Sequence, residues 1–146
     1  MTLGLGDRRR ARAAALQMLY QWEIGRLSID DAIRTFWSVG DAEPLADEAR
    51  GLAEGLARGA AAGAAEADPI IAASADNWRL DRMAVVDRLI LRLAVHEFLH
   101  APDTPHKVVI NEAVELARLF STDDAPRFVN GVLDGIRKKL PSKSTE

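Results

Sequence analysis

The chain has 146 residues, of which 48% are hydrophobic, and a formal charge of −3 at pH 7. That length fits one ordinary domain or two small joined halves with a real core, and the mild acidity argues against a global basic field for nucleic acid. With no cysteine, disulfides and thiolate metal sites are excluded. No N-terminal apolar run resembles a signal peptide and no segment reads as transmembrane, so a cytoplasmic protein is expected.

Charge is spread unevenly. Residues 8–12 hold Arg8, Arg9, Arg10 and Arg12, whereas residues 41–68 hold seven acids against Arg50 and Arg58. A basic end on an acidic body implies a local anion-binding site.

Residues 1–7 read as a flexible lead. From Arg8 to Ile24 the pattern is helical, with Ala11, Ala15, Met18, Leu19 and Trp22 on one face and Gly25 as a stop. Its arginine-rich first turn opposes the helix macrodipole, at about 0.3–1 kcal/mol per exposed residue. Solubility alone would not select that position; a charge run is most often a solvated face, and the reading favoured here is a phosphate-binding patch, because a planar guanidinium suits two phosphate oxygens. Ser28 to Trp37 reads as a short helix capped by Ser28, with Ile29, Ile33, Phe36 and Trp37 inward and Gly40-Asp41 as its break. Residues 44–67 read as one long alanine-rich helix with Leu45, Ala49, Leu52, Leu56 and Ala60 inward. Gly51, Gly55, Gly59 and Gly63 leave one ridge of it without side chains, which suggests a packing seam.

Asp68-Pro69 reads as the joint between the halves 1–68 and 69–146 of one compact domain, with a further short helix from Pro69 to Trp78. The longest apolar stretch follows, from Asp81 to His100, with Asp81 as its cap. It is apolar most of the way round, as befits a helix buried on several sides, and Arg88, Arg92, His96 and His100 form its polar ridge. Thr104 and Pro105 then open a helix over 106–120, with Val109, Ile110, Ala113, Leu116, Ala117 and Phe120 facing the core. After the STDDA hinge, a last helix from Pro126 to Leu140 turns Val129, Val132, Leu133, Ile136 and Leu140 inward. No alternating strand pattern occurs. The fold class is all-α, with about seven helices in two packed helical-bundle halves.

One motif points elsewhere. His96-Glu97-x-x-His100 matches the zinc-hydrolase string, and His106 follows at the spacing of its extended form. The alternative is a pair of surface histidines at a helix end. Asp103 stands where the extended pattern wants glycine, no methionine turn follows, and Arg88 and Arg92 put positive charge on the same ridge. The expectation is therefore no metal, no cofactor and no catalytic residue.

The segment KVVINEAVELARLFSTDDAPRFVNGVLDGI resembles the C-terminal signature of the NusB family of transcription antitermination factors. RRRARAAALQMLYQWEIG is similar to the family's opening helix and VDRLILRLAVHEF to its central one. The blocks cover somewhat under half the chain, and residues 41–80 carry no resemblance. It implies a non-enzymatic protein that binds single-stranded boxA-type RNA of rRNA leader transcripts together with the ribosomal protein NusE, within the antitermination complex on RNA polymerase. By position, the RNA surface joins Arg8, Arg9, Arg10 and Arg12 to Asp124, Arg127 and Phe128, and the NusE surface involves Tyr20 and Asp87. The residues read independently leave choices open. Phe128 either stacks an unpaired base or packs at the core's edge, and Tyr20 could equally be a half-buried core aromatic. Asn130 and Gly131 read as close helix contacts or polar anchoring rather than RNA contacts. His96 and His106 stand where the family has tyrosine-like residues. A related RNA-cytosine methyltransferase family carries a similar domain, but no glycine-rich nucleotide-binding unit follows here. A helical scaffold without RNA binding is the remaining alternative.

Overall fold

The computed structural model describes residues 3–39, 44–75 and 80–144. Among these the regular elements are α1 (Leu5–Ile24), α2 (Ile29–Ser38), α3 (Asp47–Ala62), α4 (Ala64–Ser74), a 3-10 turn (Leu80–Arg82), α5 (Val85–His100), α6 (His106–Phe120) and α7 (Ala125–Arg137). No strand occurs among the described residues. The Gly40-Asp41 break and the Trp78 helix end read from the sequence lie outside them. The helices sort into two compact units, Met1–Ala61 and Ala62–Glu146.

In the first unit, α1 begins at Leu5, inside what reads as a lead, with Gly4 as its cap and Asp7 in the first turn. Its buried row includes Ala11, Ala14, Ala15, Met18 and Leu19, and it packs on α2. Small residues there let the helices approach closely. Ser28 caps α2 as its sequence suggests, accepting from the Asp31 amide at 3.1 Å. The α1 stop works differently from a left-handed glycine. Gly25 has φ −76°, and a Cβ there would stand 2.6 Å from the Gln21 carbonyl oxygen. The left-handed residue is Arg26, at φ 54°. Polar ties join α2 to α3: Trp37 Nε1 donates to Glu54 at 2.9 Å, and Arg50 lies 4.5 Å over the same indole. Arg58 and Asp30 add an ion pair at 3.1 Å.

The long helix expected over 44–67 is interrupted at Gly63, and Pro69 falls inside α4 rather than at a joint. A proline in a helix removes one intrahelical hydrogen bond and crowds the preceding turn. The surrounding alanines (Ala64, Ala65, Ala67, Ala72 and Ala73) are the best helix formers and oppose that break. Asp68 caps nothing; both its oxygens accept from Arg92, at 2.8 and 2.9 Å.

α5 is the core of the second unit, flanked by α4, α6 and α7. Leu89, Ile90, Leu91, Leu93, Val95 and Phe98 are all buried, which is why this helix is apolar nearly all round. It opens at Val85 after Ala84; Asp81 lies earlier, in the 3-10 turn, and is not its cap. Arg88 ties that turn down by donating to the Leu80 carbonyl at 3.1 Å. Much of the polar ridge faces α4, where Arg92 meets Asp68 and His100 stands 3.3 Å from Glu66.

α6 is preceded by Pro105 in the cap position, so Thr104 stands one residue outside it, buried. The Thr104 carbonyl, with those of Glu97 and Ala101, accepts from the Lys143 ammonium at 2.7, 2.9 and 2.9 Å respectively. Phe120, expected in the core, is 39% exposed at the end of α6. α7 buries Val129, Val132, Leu133 and Ile136 and ends at Arg137, short of Leu140.

Candidate nucleic-acid interface

The four arginines of α1 do not share one environment. Successive helical positions turn by about 100°, so a run of arginines fans around the axis. Arg9 is exposed. Arg8 is half-buried and donates its Nε to the Leu3 carbonyl at 3.3 Å. Arg10 donates to the Pro44 carbonyl at 2.6 Å and stands 3.7 Å from Asp7. Arg12 is 3% exposed, because it falls three and four residues before Ala15 and Leu16 in the buried row. A guanidinium that gives one hydrogen bond to a carbonyl keeps its charge and its other donors, and the Asp7 carboxylate offsets part of that charge at this end of α1.

The start of α7 presents a second set. Asp124 is exposed and makes no cap hydrogen bond, Arg127 is exposed, and Phe128 is half-buried. Gly131 follows Arg127 by four residues and Phe128 by three, which places all three on one side of the helix. A Cβ at Gly131 would meet nothing within 4 Å, and Asn130 is exposed. The close helix contact expected at Asn130 and Gly131 is therefore absent among the described residues. It occurs one turn later, where a Cβ on Gly135 would meet Ser74 at 3.6 Å. Asp134 is held by Arg137 at 2.7 Å and Lys138 at 3.1 Å, and these partners lower its carboxyl pKa below the ordinary value.

Tyr20 on α1 is 41% exposed, whereas Asp87 is 8% exposed and accepts from the Ser121 hydroxyl at 2.6 Å. Near that bond, at the end of α6, Leu119 is 71% exposed beside Phe120. Sequence periodicity assigned Phe120 inward; the helix end, where neighbours run out, decides otherwise.

The histidine string serves packing. His106 is buried with its ring edge-on to Phe98 at 5.0 Å, and Glu97 is buried as well. His100 pairs with Glu66, and His96 sits half-buried beside it with ring centroids 5.3 Å apart. Burial, then the neighbouring His100, pushes the His96 pKa down, with Glu97 and Glu66 pulling the other way. Among the described residues no three His, Asp or Glu side chains stand together as a metal site, and no helix is long and apolar enough to cross a membrane.

The model of the NusB family matches residues 9–138. This chain belongs to the NusB family. The match runs straight through residues 41–80, where the sequence alone carried no resemblance. A transcription antitermination protein NusB from Anaeromyxobacter dehalogenans is 51% identical over 134 residues, covering 92% of each chain. Among solved structures, T. maritima NusB superposes with a TM-score of 0.82 at 33% identity, over 95% of this chain and 94% of that one. A chain from the crystal structure of antitermination factors NusB and NusE in complex with dsRNA also gives 0.82, at 26% identity, over 94% of this chain and all of that one.

Proposed function

We propose that this NusB-family chain is a transcription antitermination factor that binds boxA-type single-stranded RNA of rRNA leader transcripts together with NusE. It acts within the antitermination complex on RNA polymerase, in the cytoplasm, as an adaptor without catalytic activity. The observation that carries this reading is its likeness, over nearly the whole chain, to a protein solved with NusE and RNA. The residues supply the chemistry. Arg8, Arg9 and Arg10 offer charge for phosphates, and Arg127 with Phe128 offers a phosphate contact beside a ring that can stack an unpaired base. Asp124 adds a carboxylate that accepts from a base amino group and repels phosphate. Arg12 contributes from the buried row, and Tyr20 and Asp87 belong to the proposed NusE surface.

A single strand is preferred over a duplex in this reading because an aromatic ring reads a base that is free to splay out. The test is a titration of labelled boxA-type RNA, single-stranded and as a duplex, at two salt concentrations with and without NusE. Tighter binding of the single strand, strengthened by NusE and weakened by salt, supports the adaptor. Equal or tighter binding of the duplex overturns the single-strand reading, and no binding overturns the whole.

A further inference from the structure

Ser74 and Gly135 mark a place where α4 and α7 touch, with 3.6 Å between the serine Cβ and a Cβ built on the glycine. Next to that contact the two elements leave an open cleft of about 330 Å³. Pro69, Ile70 and Ala73 form its α4 wall, one helix face by their spacing. Ile136 and Leu140 form the other, the first buried and the second half-buried where the chain leaves α7. The space stays open because proline and alanine are short. Leu140 is fixed from both sides. Its amide donates to the Arg137 carbonyl at 3.1 Å, and three residues on Lys143 is clasped by the carbonyls of Glu97, Ala101 and Thr104. The cleft is therefore a built feature of the second unit rather than a gap beside a loose end.

We infer that this cleft binds a small apolar monocarboxylate, its hydrocarbon body between Ile70, Ala73, Ile136 and Leu140 and its carboxylate on the Lys139 ammonium. Lys139 is the one charged side chain in the lining; it is exposed and makes no ion pair among the described residues. The carboxylates on the same elements are already engaged: Glu66 by His100, Asp68 by Arg92, and Asp134 by Arg137 and Lys138. An incoming anion thus meets a cation with no internal competitor, whereas a cationic ligand meets like charge. Ser74 adds a hydroxyl to the lining, and a hydroxyl donates to a carboxylate. Size narrows the class. Ligand pockets span about 300–1,000 Å³, so this one lies at the lower end and suits a short chain or a single ring with one acid head. Its walls run little more than one turn along α4 and the end of α7. That is too short for a partner helix, whose anchors recur from i to i+7. The cleft lies at the other end of α7 from Asp124, Arg127 and Phe128, so binding there is separate from the RNA-binding reading above.

The experiment titrates octanoate into the isotope-labelled protein and follows backbone amide shifts. Octylamine serves as the cationic counterpart, and a short peptide ending in leucine as a protein-borne carboxylate. The amides of Ile70, Ala73, Ile136 and Leu140 are expected to shift saturably with octanoate, at millimolar concentration or below, and not with octylamine. Lys139→Gln is expected to weaken octanoate binding by about two- to fivefold, as for one exposed ion pair, with the thermal midpoint unchanged. Ala73→Leu fills the cleft and is expected to abolish the shifts at the other three residues; should that variant fail to fold, Lys139→Gln still carries the test. Octylamine binding as well as octanoate shows a cleft without charge preference and overturns the inference. Octanoate binding undiminished in either folded variant places the acid elsewhere and overturns it too. A peptide that binds more tightly than octanoate assigns the cleft to a protein C-terminus and overturns the free-acid reading. Shifts that never saturate mean an adventitious additive only, and the site falls.

Discussion

The Ser121 hydroxyl donates to the Asp87 carboxylate across 2.6 Å, joining the residue that closes α6 to the first turn of α5. Asp87 is nearly buried, so its loss leaves a donor unsatisfied in a low-dielectric setting. Asp87→Ala is expected to lower stability by about 1–3 kcal/mol. Adding Ser121→Ala should cost less than the sum of the two, because the residues share one interaction. Urea titration of the four proteins measures this; strict additivity would refute the coupling. In the proposed NusE surface, the same bond fixes the carboxylate before the partner arrives.

Lys143 closes the C-terminal end of α5 from far along the chain. Its three ammonium N–H groups meet three backbone carbonyls, supplying both hydrogen bonds and charge where a helix presents its negative end. Lys143→Met is expected to cost about 1.5–3 kcal/mol, the range for charge-assisted bonds. Lys143→Arg should recover only part of it, since a planar fork does not match three converging oxygens. Denaturant midpoints of the two variants decide the matter.

His96 sets an acid limit. Its folded pKa lies below the ordinary 6.5 because burial, then His100, disfavours the charged ring. As pH falls, the unfolded chain therefore takes up this proton first, and stability drops across the interval from about 6.5 down to the folded pKa. Above that interval the neutral ring is present in both states and the contribution is intact. Urea midpoints measured between about pH 7.5 and about pH 5 should fall more steeply for the parent than for His96→Gln. Parallel curves would show that other groups set the acid limb.

Arg9 and Arg12 should separate binding from folding. Arg9→Ala is expected to leave the thermal midpoint unchanged, to weaken RNA binding, and to reduce the salt slope by about 0.7, as one lost phosphate contact on a single strand does. Arg12→Ala removes a buried side chain and is expected to destabilise the protein by about 0.5–3 kcal/mol. Melting curves beside salt titrations distinguish the pair.

These contrasts mark what a sequence can and cannot convey. Local rules were legible: the Ser28 cap, the stripes of α6 and α7 up to Phe120 and Leu140 at their ends, and a central helix apolar most of the way round follow from spacing alone. What escaped depended on partners distant in the chain. Asp68 looked like a cap because nothing in its neighbourhood announced Arg92, and Pro69 looked like a break because the alanine-rich helix around it was underestimated. Asp81 and Thr104 were reasonable caps that the chain places outside their helices, by three residues and one. For the candidate interface, residue types were legible and depth was not. Four arginines in five positions cannot all face outward on a helix, and Arg12 is the one that turns in. Gly131 read as a close helix contact because spacing does not say which glycine of α7 meets a neighbour; the contact with α4 falls at Gly135, one turn on.

The glycines of α3 have a consequence for motion. Gly51 and Gly55 face open space, and the helix buries mostly alanine, with Leu56 its one large buried side chain. Weak propensity and little apolar area together make a segment that opens locally well before the molecule unfolds. In native-state amide exchange, α3 should trade its protons with solvent while α5, packed on by three other helices, still holds its own.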